Sequence, residues 1–505
     1  MFYWILFAVM LDYVYFKVKY TTPNGPPVWY VFPFVGAAPI FCLPTFIYKR
    51  IYLWYLKYGP DVILTRAPRA VVLTKGSATK AALRNENCQS KPEVYLMTYL
   101  GWILTGKDGL VYTDGGQVEW RSHRKIDVAA LYALPRREMV VKSSEVVDVF
   151  LREIQKHEGE AWDCEHELEV AKYQESANLN LGSCFEDSDI KQFVAIVANV
   201  FKKMLVVSIA INIMPRSLIP WVEGLLPKIV RPAHIARVYN EALWVLIQKK
   251  LSEKEDNRTR DFLAATLRVK KPAEAHEYLR ASSFFLMIGN THSTHHTILS
   301  ALTNLALEPA IQDRLYQEIK YVLGHDELTL EHLDSMPLLK AVIMETNRLD
   351  SPFPFNLRLS TAPTDILGFP IPAGMPILMF IHAENWNPDH FPQPLSFRPE
   401  RFIDDQGNYL PNPNHGIFGG GKRECPGKHI NITTAGVFLS KILQHYRVEP
   451  ANINAKPAER ISSMFPAPSK IPYRFIRRNK DLPLPLTEPA SDLSEIFREV
   501  LDRVK

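Results

Sequence analysis

The sequence predicts a mainly α-helical protein with a small β region near each end of its globular part. Residues 151–348 are dominated by segments in which apolar residues recur with a helical period, including DFLAATLRV, IQDRLYQEIKYVLG and LKAVIMETNRL. Residues 62–74, VILTRAPRAVVLT, hold two β-branched runs separated by Ala-Pro-Arg, which predicts a hairpin. Beyond Arg348, short apolar runs alternate with prolines and glycines, which predicts a small sheet.

The chain begins with a continuous apolar stretch, MFYWILFAVMLDYVYF, which is followed by Lys17 and Lys19 and has no small-residue cleavage site. Its 16 residues are slightly fewer than the roughly 20 that cross a bilayer. Asp12 lies toward the far end of the stretch, where a charge costs less than the ~3 kcal/mol expected at the bilayer centre. We expect an uncleaved membrane anchor that spans the bilayer or lies in its interface. An ordinary buried helix stays an alternative, because it shows the same apolar run.

Proline and glycine mark the segments on either side of the globular part. Residues 21–36, TTPNGPPVWYVFPFVG, cannot continue a helix and predict a stiff hinge. Residues 481–492, DLPLPLTEPASD, predict a linker, and LSEIFREVLDRVK after them is typical of a short amphipathic helix. The expected organisation is an anchor over residues 1–20, a hinge over 21–36, one catalytic domain over 37–480 and a tail over 481–505.

Charge and cysteine content exclude two classes of protein. The net charge is +5, and no long run of lysine or arginine occurs, so the basic tracts of a nucleic-acid-binding protein are missing. The five cysteines are scattered and include no CxxC pair, which argues against a disulfide framework and favours a reducing compartment. They are Cys42, Cys88, Cys164, Cys184 and Cys425.

The segment over residues 418–427, FGGGKRECPG, carries the strongest chemical signal in the sequence. Its glycines allow close approach to a flat ligand, Arg423 can neutralise an anion, and backbone N–H groups around Cys425 can stabilise a thiolate. The following segment, HINITTAGVFLSKIL, reads as a helix whose amino terminus also favours negative charge on the sulfur. Taken alone, the segment is equally compatible with a glycine-rich turn around a structural cysteine.

The same segment matches the pattern FxxGxRxCxG and therefore resembles the heme-binding signature of the cytochrome P450 family. The matching positions are Phe418, Gly421, Arg423, Cys425 and Gly427. The resemblance covers residues 26–478 and points to fungal biosynthetic and microsomal members. It implies the prism-like, mainly helical P450 fold, heme b as the cofactor and Cys425 as the ligand of its iron, with residues 37–480 as the heme-thiolate catalytic domain.

Two further motifs of that family occur in order. Glu345-Thr-Asn-Arg348 resembles the ExxR motif, and FRPERF over residues 397–402 supplies Arg401, so the resemblance implies a buried network of Glu345, Arg348 and Arg401. By itself a Glu and an Arg three residues apart are more often a solvated surface pair.

The segment WRSHR over residues 120–124 looks like the WxxxR helix of the family, whose Trp and Arg contact a heme propionate. Arg358 and Arg423 occupy matching positions for further propionate contacts. Two carboxylates in an apolar slot need such fixed cationic donors. For Trp120 alone, core packing is the ordinary alternative.

Residues 289–294, GNTHST, fall on the oxygen-activation motif AGx(D/E)TT of the family. The resemblance places His292 at the position of the acid, Ser293 at that of the key threonine and Thr294 at that of the next threonine. It therefore implies that these three residues relay protons. A histidine suits this work because its ordinary pKa lies near neutrality. Asn290 replaces the usual Gly of the motif, and Asn431 replaces a common Ala beyond the cysteine.

A zinc site is the rival interpretation of this helix, because His292 and His296 are four residues apart on one face. The glutamate of an HExxH motif is absent. His295 and His296 are also compatible with ordinary hydrogen bonds inside the core.

The family resemblance implies a monooxygenase that inserts one oxygen atom of O2 into an apolar substrate such as a lipid, sterol, terpenoid or polyketide. Electrons would come from NADPH through NADPH-cytochrome P450 reductase, with cytochrome b5 as a further candidate donor, and the anchor would place the enzyme on the endoplasmic reticulum membrane. A basic surface could steer an acidic redox partner, although solvated charges explain it equally well. Its members are Arg121, Lys125, Lys422 and Lys428. A heme-thiolate isomerase or dehydratase and a noncatalytic lipid-binding heme protein are the alternatives.

Overall fold

The computed structural model describes residues 10–11, 14–15, 26, 61–65, 70–73, 75–91, 118–182, 190–191, 193–195, 232–252, 262–267, 272–353, 355–452, 454–455 and 471–478. The expected tail lies outside these residues, as does the hinge except for Pro26. Of the expected anchor, Met10, Leu11, Val14 and Tyr15 are described, and all four are helical and exposed. Within the described residues, we find no helix with the length and apolar character needed to cross a bilayer.

Helices dominate the described residues, which confirms the mainly α class. They are α1 (Gly76–Arg84), α2 (Val118–Ala133), α3 (Arg136–Lys156), α4 (Glu165–Asn180), α5 (Pro232–Ser252), α6 (Phe262–Leu267), α7 (Pro272–Leu307), α8 (Pro309–Leu323), α9 (Leu330–Asp334), α10 (Pro337–Leu349), α11 (His382–Asn385) and α12 (Lys428–His445). Prolines occupy the first turns of α8 and α10, where the missing N–H group removes no helical bond.

The strands of the described residues form three small sheets. They are β1 (Val62–Thr65), β2 (Ala70–Leu73), β3 (Phe355–Leu359), β4 (Thr364–Ile366), β5 (Phe369–Ile371), β6 (Pro376–Phe380), β7 (Tyr446–Pro450) and β8 (Tyr473–Arg477). The predicted hairpin is confirmed as the antiparallel pair β1–β2, in which Val62 faces Leu73. Strands after Arg348 are confirmed as well, but β6 pairs in parallel with β2, so the two predicted β regions share one sheet in the order β1-β2-β6-β3.

The core lies where α3, α4, α7, α10 and α12 pack together. Helix α7 is apolar around much of its circumference, which is typical of a helix buried on all sides. Phe150, Leu302 and Phe438 are among the side chains removed from water there, and each contributes about 1.5–3 kcal/mol by burial. Because α12 follows residues 418–427 directly, this packing fixes the position of that loop against the central helix α7.

Candidate functional site

The loop over residues 418–427 is held tightly against helix α1. Gly419 and Gly421 have φ values of +71° and +68°, a region that favours glycine. A Cβ atom on Gly421 would lie 2.5 Å from the carbonyl oxygen of Leu83, so no other residue fits. The N–H group of Cys425 donates to the carbonyl oxygen of Phe418 at 2.8 Å, which closes the turn. The result is a rigid turn that ends on an exposed cysteine.

The charge state of the Cys425 thiol is set by opposing effects. Although the residue is exposed, the surrounding protein raises the pKa of the thiol by desolvation. A hydrogen bond from the backbone of Gly427 and the charges of Arg124 and Lys428 lower the pKa, while Glu424 raises it. The protein alone therefore favours the thiol, and a metal cation at the sulfur would stabilise the thiolate.

Helix α2 presents Trp120 and Arg124 to this loop. Trp120 is buried, and the guanidinium carbon of Arg423 lies 4.1 Å from the centre of its indole ring, a cation–π contact. Arg423 also donates from Nε to the carbonyl oxygen of Gln89 at 3.0 Å. Arg124 donates from Nη2 to the carbonyl oxygen of Glu424. These contacts bring Trp120 and Arg124 to Arg423 and Cys425, although the two pairs lie far apart in the sequence.

Two cations lie close to Arg423 without an acidic partner. Arg358 on β3 is 1% exposed, and its Nη1 donates to Asn356 and to the carbonyl oxygen of Leu357, whereas Nε and Nη2 have no partner among the described residues. Lys91 donates to the same Asn356 oxygen at 3.0 Å. Neither cation forms an ion pair with a described carboxylate, so the protein leaves two cationic groups for an acidic ligand to pair.

Burial weakens the proton affinity of both cations. The pKa of Arg358 is lowered to about 10 by desolvation, against an opposing effect of Cys88. The pKa of Lys91 is lowered well below its ordinary value by desolvation and then by the charges of Arg358 and Arg423. Each positive charge is therefore unfavourable in the protein alone, and bound carboxylates would compensate it.

The Glu345, Arg348 and Arg401 side chains form a separate buried network. Glu345 and Arg348 are both 0% exposed, and Arg348 donates to the Glu345 carboxylate from Nε at 2.7 Å and Nη2 at 2.9 Å. Arg401 donates to Glu345 from Nε at 3.2 Å, and the backbone N–H of Arg398 donates at 2.8 Å. Arg348 uses Nη1 for the carbonyl oxygens of Asn385 and Pro394. Every part of the Arg348 guanidinium therefore has a protein partner.

The three predicted proton-relay residues of the central helix α7, His292, Ser293 and Thr294, point in different directions. The Ser293 hydroxyl donates to the carbonyl oxygen of Gly289 at 2.5 Å, and a Cβ on Gly289 would meet no atom within 4 Å. Thr294 is buried and accepts from Nδ2 of Asn431 on α12 at 3.1 Å. His292 forms a hydrogen bond of 3.1 Å between Nε2 and the hydroxyl of Tyr173 on α4. Gly289 is exposed and Ser293 is half-buried, so both lie on the open side of the helix.

His295 and His296 of this helix each have a separate partner. His295 bonds through Nε2 to the carbonyl oxygen of Glu165 at 3.3 Å, and His296 bonds through Nε2 to that of Asp350 at 3.0 Å. His292 and His296 are thus directed to different neighbours. Among the described residues, no three potential ligands are gathered around a metal position.

Asn290 and Asn431, two of the departures from the family pattern, belong to one buried network. Thr294 donates to Oδ1 of Asn290 at 3.5 Å, and Asn431 donates from Nδ2 to the hydroxyls of Thr294 and Thr297 at 3.1 and 3.3 Å. Asn347 donates to Asn431 at 3.3 Å and accepts from Thr297 at 2.8 Å. The network ties α7, α10 and α12 together beside the cysteine loop.

Comparison with known families agrees with this arrangement. A family model described as Cytochrome P450 matches residues 26–473, nearly the whole chain. This protein belongs to the cytochrome P450 family. Cytochrome P450s are monooxygenases that hold heme through a cysteine thiolate, and the protein is accordingly an oxidoreductase.

Curated relatives are similar over most of their length. Cytochrome P450 2D10 of Mus musculus is 25% identical over 507 residues, which cover 93% of this chain and 95% of the relative. Cytochrome P450 2F2 of Rattus norvegicus is 26% identical, with 83% of this chain and 87% of the relative covered. Cytochrome P450 2J2 of Homo sapiens is 26% identical, with 85% and 86% covered.

The side chains of this P450 are of the kinds that heme requires. Cys425 offers one thiol for iron, and the unpaired Nε and Nη2 atoms of the buried Arg358 offer donors for a carboxylate. Lys91, Arg124 and Arg423 add positive charge in the same region, which suits the two propionates of the cofactor.

Sequence reasoning missed Lys91 and Tyr173. Lys91 precedes Pro92 and belongs to no motif that we identified, so nothing local distinguishes it from an ordinary surface lysine. Tyr173 lies in a helix whose sequence carries no signal of a partner on α7. Both are identified only by what the fold places beside them.

Proposed function

We propose that this P450 binds heme b with Cys425 as the ligand of the iron and inserts one oxygen atom of O2 into an apolar small molecule. The observation that supports the proposal best is the turn around Cys425, which presents an exposed thiol beside cations that lack carboxylate partners. When bound, heme with a thiolate ligand promotes cleavage of the dioxygen bond.

The residues around the loop have distinct roles in this proposal. The Gly427 backbone N–H and the charge of Arg124 stabilise negative charge on the Cys425 sulfur. Phe418 fixes the turn through its carbonyl oxygen. Trp120, stacked on Arg423, would hold that cation in place for a propionate.

Arg358 and Lys91 complete the proposed propionate contacts, because Arg358 is buried, Lys91 is half-buried, and neither has a described carboxylate partner. Glu345, Arg348 and Arg401 have a structural role, since their network is satisfied within the protein.

Ser293 and His292 are the proposed groups for proton delivery. The Ser293 hydroxyl lies on the open side of α7 beside Gly289. His292 is neutral at physiological pH, because burial lowers its pKa to about 4. Thr294 is held in the network with Asn431, so we assign it a supporting role rather than contact with reacting atoms.

We propose that the enzyme lies on the endoplasmic reticulum membrane with its catalytic domain in the cytosol, because the amino terminus is strongly apolar. NADPH-cytochrome P450 reductase is the proposed electron donor, with cytochrome b5 as an accessory donor. The candidate docking charges are exposed, as a surface for an acidic partner must be; they are Arg121, Lys125, Lys422 and Lys428. Substrates are expected among lipids, sterols, terpenoids and polyketides.

The test is oxygen incorporation by the full-length protein in microsomes that contain the reductase. A panel of fatty acids, sterols, terpenoids and polyketides is incubated with NADPH under oxygen-18, beside a Cys425→Ala control. The proposal predicts a product that carries one oxygen-18 atom and requires both NADPH and Cys425. Product formed without NADPH and O2 would instead identify an isomerase or dehydratase. A ligand that binds but is never converted would favour a noncatalytic role.

A further inference from the structure

The hydrogen bond between Tyr173 and His292 joins two helices within the site. The Tyr173 hydroxyl lies 3.1 Å from Nε2 of His292, and the two rings meet edge to face at 85° with centres 5.9 Å apart. Tyr173 is 0% exposed, and Phe193 packs edge-on against its ring at 5.8 Å. The phenol is therefore fixed in position by its surroundings.

The protonation states of both groups follow from burial. Desolvation raises the pKa of Tyr173 well above its ordinary value, with smaller contributions from Tyr239 and Glu169, so the phenol keeps its proton. Desolvation lowers the pKa of His292 to about 4, so the imidazole is neutral and carries one ring proton.

The position of that ring proton follows from the hydrogen bond. Among the described residues, His292 Nε2 is the one group that is hydrogen-bonded to the Tyr173 hydroxyl. A buried O–H group without an acceptor costs about 1–3 kcal/mol, so the phenol donates and Nε2 accepts. The imidazole proton therefore lies on Nδ1, the ring nitrogen that does not contact Tyr173.

We propose that Tyr173 is a positioning residue that holds the neighbour of Ser293 in the chain, His292, in the Nδ1–H tautomer and in one ring orientation. This inference rests on the proposed oxygenase function. Tyr173 acts through His292 and contacts no reacting atom. Tyr173 itself gives and takes no proton; it fixes which ring nitrogen of His292 carries one.

Tyr173→Phe tests the proposal, because it removes the hydroxyl and keeps the ring in the core. Tyr239→Phe is the matched control: Tyr239 is also 0% exposed and packs on the same Phe193 at 5.8 Å. The unchanged ferrous carbon monoxide spectrum of each variant shows that the holoenzyme has formed. A failure of Tyr173→Phe to fold is bypassed by reading the tautomer in the wild type.

The first readout is the nitrogen-15 spectrum of histidine-labelled holoenzyme in its diamagnetic ferrous carbon monoxide form. His292→Asn assigns the signals. The proposal predicts a protonated Nδ1 and an unprotonated, hydrogen-bonded Nε2 in the wild type and in Tyr239→Phe, and a changed tautomer ratio in Tyr173→Phe. A protonated Nε2 in the wild type, or an unchanged spectrum in Tyr173→Phe, overturns it.

The second readout is the partition of NADPH electrons between hydrogen peroxide and water or product. Loss of the fixed His292 tautomer should raise the peroxide fraction roughly two- to fivefold in Tyr173→Phe, with no change in Tyr239→Phe and no further rise in the His292→Asn background. An equal rise in both tyrosine variants would overturn the positioning role. If the wild type consumes no NADPH, the proposed function fails, and the nitrogen-15 result alone decides the tautomer.

Discussion

Arg348 and Arg358 are both buried arginines, with 0% and 1% exposure, yet their surroundings differ. Arg348 uses Nε, Nη1 and Nη2 for the Glu345 carboxylate and backbone carbonyl oxygens. Arg358 uses Nη1, while its Nε and Nη2 have no partner among the described residues. A fully paired buried cation belongs to the fold, whereas an incompletely paired one indicates a ligand site.

The largest expected effect comes from breaking the paired network. Glu345→Ala leaves Arg348 and Arg401 without their carboxylate in the core, which should lower the free energy of unfolding by about 3–5 kcal/mol. Urea unfolding measures the loss, and Glu153→Ala is the control, because Glu153 and Lys156 have the same spacing on an exposed helix face. Equal stability of the two variants would show that the Glu345 network is not structural.

Arg358→Met should separate cofactor binding from folding. Loss of charge-assisted hydrogen bonds, each worth about 1.5–3 kcal/mol, predicts roughly a tenfold to hundredfold weaker affinity for heme. The apoprotein should keep its stability, because an unpaired buried charge is removed. Heme titration of the apoprotein and its thermal unfolding measure both quantities. A variant that loses stability but keeps its affinity for heme would show that Arg358, like Arg348, has a structural role.

Asn431→Ala tests whether the network that joins Asn290 and Asn431 stabilises the fold, as the network around Glu345 does. It removes the donor to Thr294 and Thr297 and the partner of Asn347, with an expected loss of about 1–3 kcal/mol in unfolding free energy. Asn290→Ala in the same background should show coupling, because the two residues share Thr294. Strictly additive losses in urea unfolding would mean that the network is not a unit.

Lys91→Met should give the smallest effect, on the pH dependence of the apoprotein. The pKa of Lys91 is lowered in the folded state. Between that lowered pKa and the ordinary value of 10.5, the unfolded state therefore binds more protons than the folded state does. Wild-type apoprotein should therefore gain stability as pH rises through that window. Lys91→Met should reduce this slope. Thermal unfolding across alkaline pH measures it, and parallel curves for wild type and variant would contradict the buried-charge interpretation.

The helical class, the β1–β2 hairpin and the motif around Cys425 could be predicted from the sequence, because each depends on a pattern of consecutive residues. The parallel pairing of β2 with β6 was not predictable, since no local pattern specifies which distant strands pair. The same limit applies to Lys91, whose pKa is lowered in part by the charges of Arg358 and Arg423, residues that are distant in the sequence.

Asn290 and Asn431 could be recognised in the sequence as departures from the family pattern, but their connection could not. They are joined through Thr294, which lies between α7 and α12. A hydrogen bond across a helix interface depends on side-chain direction and helix packing, neither of which is specified by a short motif.

The most direct test of the central claim is the carbon monoxide difference spectrum of the dithionite-reduced, full-length protein, beside a Cys425→Ala control. Ligation of heme iron by Cys425 predicts the shifted Soret band of thiolate-ligated heme in the wild type and its absence in the control. A protein that binds no heme, or heme whose spectrum does not depend on Cys425, would contradict the account.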